Sequence, residues 1–69
     1  MEKDLSLRVH RVLHHLKEPY KEVFTLRVFG QLSFGDIASL FDKTESWARV
    51  NYHRGRKQII ETLRKEGLL

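Results

Sequence analysis

Apolar residues in this chain recur with a helical period, and the few places where that period breaks decide what the chain can become. Leu5, Val9, Val12, Leu13 and Leu16 fall at i, i+4, i+7, i+8 and i+11, a single stripe with Asp4 available to cap the helix start. Leu5, Leu7 and Val9 alternate briefly as a strand would, but the spacing that follows fits only the helix. The next break is Glu18-Pro19. Proline suits a first helical position because its missing N–H would have no partner there, so a second helix is expected to start at Pro19 and to end at Gly30. It carries Tyr20, Val23, Phe24, Leu26 and Val28. At about 100° per residue these cover roughly 200° of its circumference, wider than the stripe a surface helix needs. Either neighbours cover both sides of that arc or a partner does.

Ser33 opens Ser33-Phe34-Gly35-Asp36, a capping box in which aspartate replaces the usual Glu or Gln. A short third helix carrying Ile37, Ala38, Leu40 and Phe41 follows, and it must stop by Asp42-Lys43 because Thr44 is placed to cap a fourth. Two helices joined by so tight a turn form a helix-turn-helix, whose second member enters the major groove of DNA. The expected fold is therefore all-α: one small domain over residues 1–69, with N-terminal helices at about 4–29 and a helix-turn-helix at about 33–61.

With 69 residues and no cysteine, the helices must supply the core unaided by disulfides or thiolate zinc sites, and a large catalytic scaffold is excluded. Nowhere do three residues of the set Ala, Val, Ile, Leu, Met, Phe, Trp and Tyr follow one another, so membrane insertion is not expected. A composition of 41% hydrophobic and 32% charged residues is that of a globular domain, and the lack of cysteine suits a reducing cytoplasm. No nucleophile with its base, no glycine-rich phosphate loop and no carboxylate cluster stands out, so neither an enzyme nor a cofactor is expected. His10 and His14 have a metal-ligand spacing with His15 beside them, but without an acidic pair they read as solvent-facing and no metal is assigned.

The net charge of +4 is unevenly divided. In residues 1–42 the bases Lys3, Arg8, Arg11, Lys17, Lys21 and Arg27 are matched by Glu2, Asp4, Glu18, Glu22, Asp36 and Asp42. Residues 43–69 set Lys43, Arg49, Arg54, Arg56, Lys57, Arg64 and Lys65 against Glu45, Glu61 and Glu66, and so carry the whole excess. A basic segment on a neutral body suits a polyanion partner, although a solvated helix face would look the same in charge alone. On the fourth helix Ala48, Tyr52, Gly55, Ile59 and Leu63 form the side expected to be buried. The opposite side presents Ser46, Val50, His53, Arg54 and Lys57, with Arg49 on one flank and Trp47 and Asn51 toward the other. Arginine can donate a bidentate pair to guanine, Ser and His can bond base edges, and Val50 can meet a thymine methyl. Arg56 and Lys57 suit phosphate neutralisation. Trp47 is expected to cover the turn or Phe41, and Arg64 and Lys65 suit a helix C-terminus.

With the turn and the charged helix placed, the run from Leu16 to Ile59, above all YKEVFTLR, LSFGDIASLF and ARVNYHRGRK, resembles region 4 of sigma factors, especially the extracytoplasmic-function group. The resemblance implies recognition of the minus-35 promoter element and docking of the N-terminal helices on the flap of the RNA polymerase β subunit. It implies DNA contacts at Arg49, Val50, His53 and Arg54. Leu26, Val28 and Phe29 project off the main stripe and are the candidate polymerase contacts, while Tyr20, Val23 and Phe24 are expected in the core. The family's promoter-melting region 2 has no counterpart here, so the domain is not expected to open DNA alone, and Met1 fits the start of an excised fragment. Three positions depart from the family pattern: Asp42 stands where glycine is common in the turn, Gly55 where alanine is common, and Pro19 comes later than the usual Leu-Pro. Asp42 must then tolerate a left-handed conformation, and a mid-helix Gly55 costs about 1 kcal/mol unless close helix packing requires it. Two alternatives stay open: a response-regulator output domain with the same two-helix reader, and a protein-interaction module, held by an anti-sigma factor or self-associating through the wide arc of the second helix.

Overall fold

In the computed structural model, which describes residues 3–69, α-helices occupy Lys3–His15 (α1), Tyr20–Val28 (α2), Phe34–Phe41 (α3) and Glu45–Lys65 (α4). No strand occurs among the described residues, so the chain is all-α, and α3 and α4 form the helix-turn-helix. Each boundary has a local cause. Asp4 lies inside the first turn of α1 rather than capping it, where its carboxylate still favours the positive end of the helix dipole. Pro19 is the N-cap of α2, one position before the first helical residue expected for it. Because proline brings no side-chain acceptor, the Glu18 carboxylate takes the cap's role and accepts from the Glu22 N–H at 2.9 Å.

The second helix stops at Val28, short of Gly30, and the residue that turns left-handed is Gln31, at φ 56°. Gly30 serves a different need. Its N–H and that of Phe29 both reach the Thr25 carbonyl, and a β-carbon at position 30 would lie 2.7 Å from the Leu26 carbonyl oxygen. Only glycine fits a backbone that close. Ser33 then caps α3, its Oγ accepting from the Asp36 N–H at 3.1 Å.

Asp42 takes the left-handed conformation that the tight turn demands, at φ 53° and ψ 43°. Around it the Lys43 N–H donates to the Ala38 carbonyl at 2.9 Å and the Asp42 N–H to the Ser39 carbonyl at 3.3 Å, the Schellman pattern that ends a helix sharply. Thr44 restarts the chain two residues later, its Oγ1 accepting from the Trp47 N–H at 3.1 Å. The fourth helix runs to Lys65, with Arg64 and Lys65 in its last turn as expected, because Ile59 and Leu63 remain buried and continue its apolar stripe. Gly67, at φ 75°, then lets the Leu68 N–H return to the Leu63 carbonyl at 2.9 Å.

The core lies along α4 in two adjoining clusters. Leu13, Phe24, Ile59 and Leu63 pack with Val9, Val12, Leu16 and Leu68 toward its C-terminal half. Val23, Ile37, Ala38 and Ala48 pack with Leu26, Leu32, Phe34, Phe41 and Trp47 toward its N-terminal half. Tyr52 belongs to both, stacked on Phe24 at 5.7 Å and tilted against Phe34 at 5.6 Å between ring centres. The wide arc of α2 is explained by this division: Val23 enters one cluster and Phe24 the other. At Gly55 α4 comes close to α2, since a β-carbon there would meet the Tyr20 Cβ at 3.2 Å. The fold thus places a mid-helix glycine where a β-carbon would be a tight fit.

The strain at Asp42 is open to measurement. A non-glycine residue in the left-handed region costs about 1–2 kcal/mol, and glycine gives back part of that through its looser unfolded chain. Asp42→Gly should therefore raise the unfolding free energy by about 0.5–1 kcal/mol, read from the midpoint of a urea titration at unchanged slope. A lower midpoint would mean that the Asp42 side chain stabilises the turn.

Candidate nucleic-acid interface

The sharp stop at Ala38–Asp42 and the cap at Thr44 orient α4 so that one long side of it faces outward. Ala48, Gly55, Ile59 and Leu63 are buried, with Tyr52 half-buried beside them. Ser46, Arg49, Val50, His53, Arg54, Arg56 and Lys57 are all exposed. At 100° per residue Ser46, Val50, His53 and Lys57 fall within about 60°, with Arg54 on one margin and Arg49 and Arg56 on the other. The structure thus brings the seven sequence-selected residues onto one side of one helix. A straight rod with a cationic, hydrogen-bonding side has the dimensions and chemistry of a major-groove reader.

Two of these side chains have defined neighbours. The Arg49 guanidinium pairs with Glu45 one turn earlier at 2.9 Å, both groups being more than half exposed, and lies 5.0 Å from the centre of the Phe34 ring. An exposed pair of this kind contributes little stability, about 0.3–0.5 kcal/mol, but it limits the side chain's rotamers. His53 packs edge-on to Tyr52 at 5.1 Å. Val50, 43% exposed, is the apolar member of the side.

Asn51 is the residue whose place differs most from the sequence reading. It is buried, and its amide donates to the Trp47 carbonyl at 2.9 Å, so it closes the edge of the core instead of facing a partner. Its angular position, about 60° from Ala48, already lies within reach of the buried arc. Trp47 is half-buried and packs on Phe41 at 5.1 Å. Of the three apolar positions singled out on α2 and its end, Leu26 is half-buried against the Val23, Ile37, Ala38 and Ala48 cluster. Val28 and Phe29 are exposed at 40% and 48%. The His10 ring stacks on Phe29 at 4.9 Å, and His14 lies edge-on to His15 at 5.1 Å.

Two cations outside this side of α4 border it. Arg27 of α2 donates from Nη1 to the Leu32 carbonyl at 3.0 Å and lies 4.4 Å from the centre of the Phe34 ring, the ring that Arg49 also approaches. Lys43, in the turn, lies 6.0 Å from the centre of the Trp47 ring. Counting charge along the chain hides Arg27, because nearby acids in sequence cancel it. The one available signal was its spacing seven residues before Phe34, which becomes a contact only when the α2–α3 link folds back.

The model of the family described as Sigma-70, region 4 matches residues 6–59. Comparison with curated proteins returns no match, and neither does comparison with solved structures. The matched span takes in most of α1, all of α2 and α3, and α4 through Ile59, so it includes every residue of the exposed cationic side as well as the turn that aims it. With that coverage, and with the helix-turn-helix geometry already described, the chain belongs to the sigma-70 region 4 family.

Proposed function

We propose that this chain is the promoter-reading, C-terminal domain of a bacterial sigma factor of the extracytoplasmic-function type, acting in the cytoplasm as a binding module rather than an enzyme. In this reading α4 enters the major groove of the minus-35 element. Ser46, Val50, His53 and Arg54 address base edges, with Arg49 at the rim, while Arg56 and Lys57 neutralise phosphates. The observation that carries the reading is the exposed cationic side of α4, aimed by the Asp42 turn, in a chain of the sigma-70 region 4 family. That family membership favours it over a response-regulator output domain with the same two-helix reader.

Val28 and Phe29 form the proposed contact with the polymerase β-flap, with Leu26, half-buried on the core, beside them in the chain. An anti-sigma factor competing for the same apolar surface is consistent with this arrangement.

If His53 and Arg54 read bases, alanine at either position should lower the preference for the cognate duplex by about 1–3 kcal/mol per lost bidentate contact while weakening random-duplex binding less. Competition binding on the two duplexes checks this, and equal losses on both would assign the residues to the backbone. Removing Arg56 or Lys57 should reduce the slope of log affinity against log salt by about 0.9 and leave sequence preference alone. Phe29→Asp should abolish flap binding in a pull-down with the isolated β-flap and spare DNA affinity, whereas Leu26→Asp should cost helicity as well, because it places a charge against the core.

A further inference from the structure

Between α1 and α4 lies a trough that encloses about 490 Å³. That volume is within the range of about 300–1,000 Å³ that small-molecule sites occupy. Thr62, on its α4 wall, lies about 140° around the helix from Lys57, so the trough is turned away from the reading side. Its floor is apolar, made by Val12 and Leu16 of α1 and by Tyr20 of α2, each half-buried. Leu16 and Tyr20 meet at one end of it, where a β-carbon on Gly55 would lie 3.7 Å from the Leu16 Cδ2 and 3.2 Å from the Tyr20 Cβ. Gln58 and Thr62, one turn apart on α4, supply an amide and a hydroxyl along the wall. The facing rim is cationic: Arg8 and Arg11 share a face of α1 with Val12, and Lys17 follows in the link to α2. Among the described residues the one ion pair is Arg49 with Glu45, so none of these three cations has a carboxylate partner there. Glu66 is the single acid in the lining, and against three cations it leaves two positive charges in excess.

We propose that this trough binds a nucleoside diphosphate, its heterocycle laid on Leu16 and Tyr20 beside Gln58 and Thr62 and its phosphates on Arg8 and Arg11. The chemistry of the lining selects each part of that ligand. A half-exposed apolar floor gains from a body that leaves water, and a rim of unpartnered cations gains from an anionic head. The planar guanidinium fork fits phosphate through two parallel hydrogen bonds, which a pair of arginines one turn apart can offer to successive phosphates. Every base has a face that can stack on an aromatic ring, so Tyr20 suits a flat heterocycle. A hydrocarbon body would cover the same floor, but it would shield the Gln58 amide and the Thr62 hydroxyl from water without giving them partners. The dimensions argue against a protein segment. From Arg8 to Leu16 the helix axis advances about 12 Å, a face far smaller than the roughly 800 Å² that each partner gives to a standard protein interface. The site depends on the packing of α1 on α4 alone and is independent of groove reading by α4.

The test follows the backbone amides of the isotope-labelled 69-residue chain by NMR. The probes are the adenosine, guanosine, cytidine and uridine diphosphates, with adenosine, pyrophosphate and decanoate titrated separately. At least one diphosphate should give saturable shifts at Arg11, Leu16, Tyr20, Gln58 and Thr62, at lower concentration than adenosine or pyrophosphate requires. Arg8→Gln and Arg11→Gln should each weaken that binding about tenfold. Both side chains are exposed, so the helicity of the variants should match the parent chain. Gln58→Ala should narrow the differences in affinity among the four bases. Unchanged affinity in both arginine variants would overturn the proposal, as would the absence of saturable shifts with every diphosphate. Shifts confined to Ser46, Val50, His53 and Arg54 would put the nucleotide on the reading side instead. Pyrophosphate binding as tightly as the diphosphates would reduce the trough to a bare anion site, and decanoate binding more tightly than any of them would assign it to an aliphatic carboxylate; either result sinks the nucleotide reading.

Discussion

Tyr52 is the point at which this small fold is held together. Its ring lies between Phe24 of α2 and Phe34 at the start of α3, and the two core clusters meet on it. A chain of this size has too little interior for two separate cores, so one side chain shared between clusters makes four short elements cooperate. The backbone of α4 must come close enough to bring that ring to both partners, and Gly55, against Tyr20, permits the approach. Everything outward on α4 is then set, because a helix with its buried side fixed has no freedom left in the direction of its other side.

The second constraint is the length of the turn. Asp42 and Lys43 separate a terminating helix from the cap of the next, and the left-handed Asp42 lets the chain reverse without an extra residue. A longer link would leave α4 free to rotate about α3, and a reading side is useful only if its orientation is rigid. Ser33 and Thr44 make the same provision at the other ends, each supplying an acceptor for a backbone N–H that would otherwise lack one. Cap chemistry and packing thus act on one quantity, the angle at which the cationic side is presented.

Charge and apolar surface are distributed according to that angle. The cations of α4 lie on its exposed side, and Val28 and Phe29 remain exposed at the end of α2. Phe34 and Trp47 lie at the borders of the cationic side, half in the core and half available to cations, so the same rings that complete the packing also seat Arg27, Arg49 and Lys43.

Periodicity and cap residues alone determined the four helices, the tight turn and the side of α4 that faces outward, because each depends on neighbours within about four residues along the chain, whereas the left-handed Asp42 was expected from the family resemblance. Helix ends shifted by a residue or two where a contact through space competed with the local signal, as at Pro19, whose cap comes from Glu18, and at Gly30, which is needed for room and not for its φ. Tertiary structure decided the rest. It buried Asn51 against the Trp47 carbonyl, drew Leu26 into the core while leaving Val28 and Phe29 outside, and set Arg27 over Phe34. The angles of Asn51, Val28 and Phe29 hinted at their places, but the contacts themselves could not be read along the chain, since a side chain's angle on its own helix says which way it points but not what another helix has placed there.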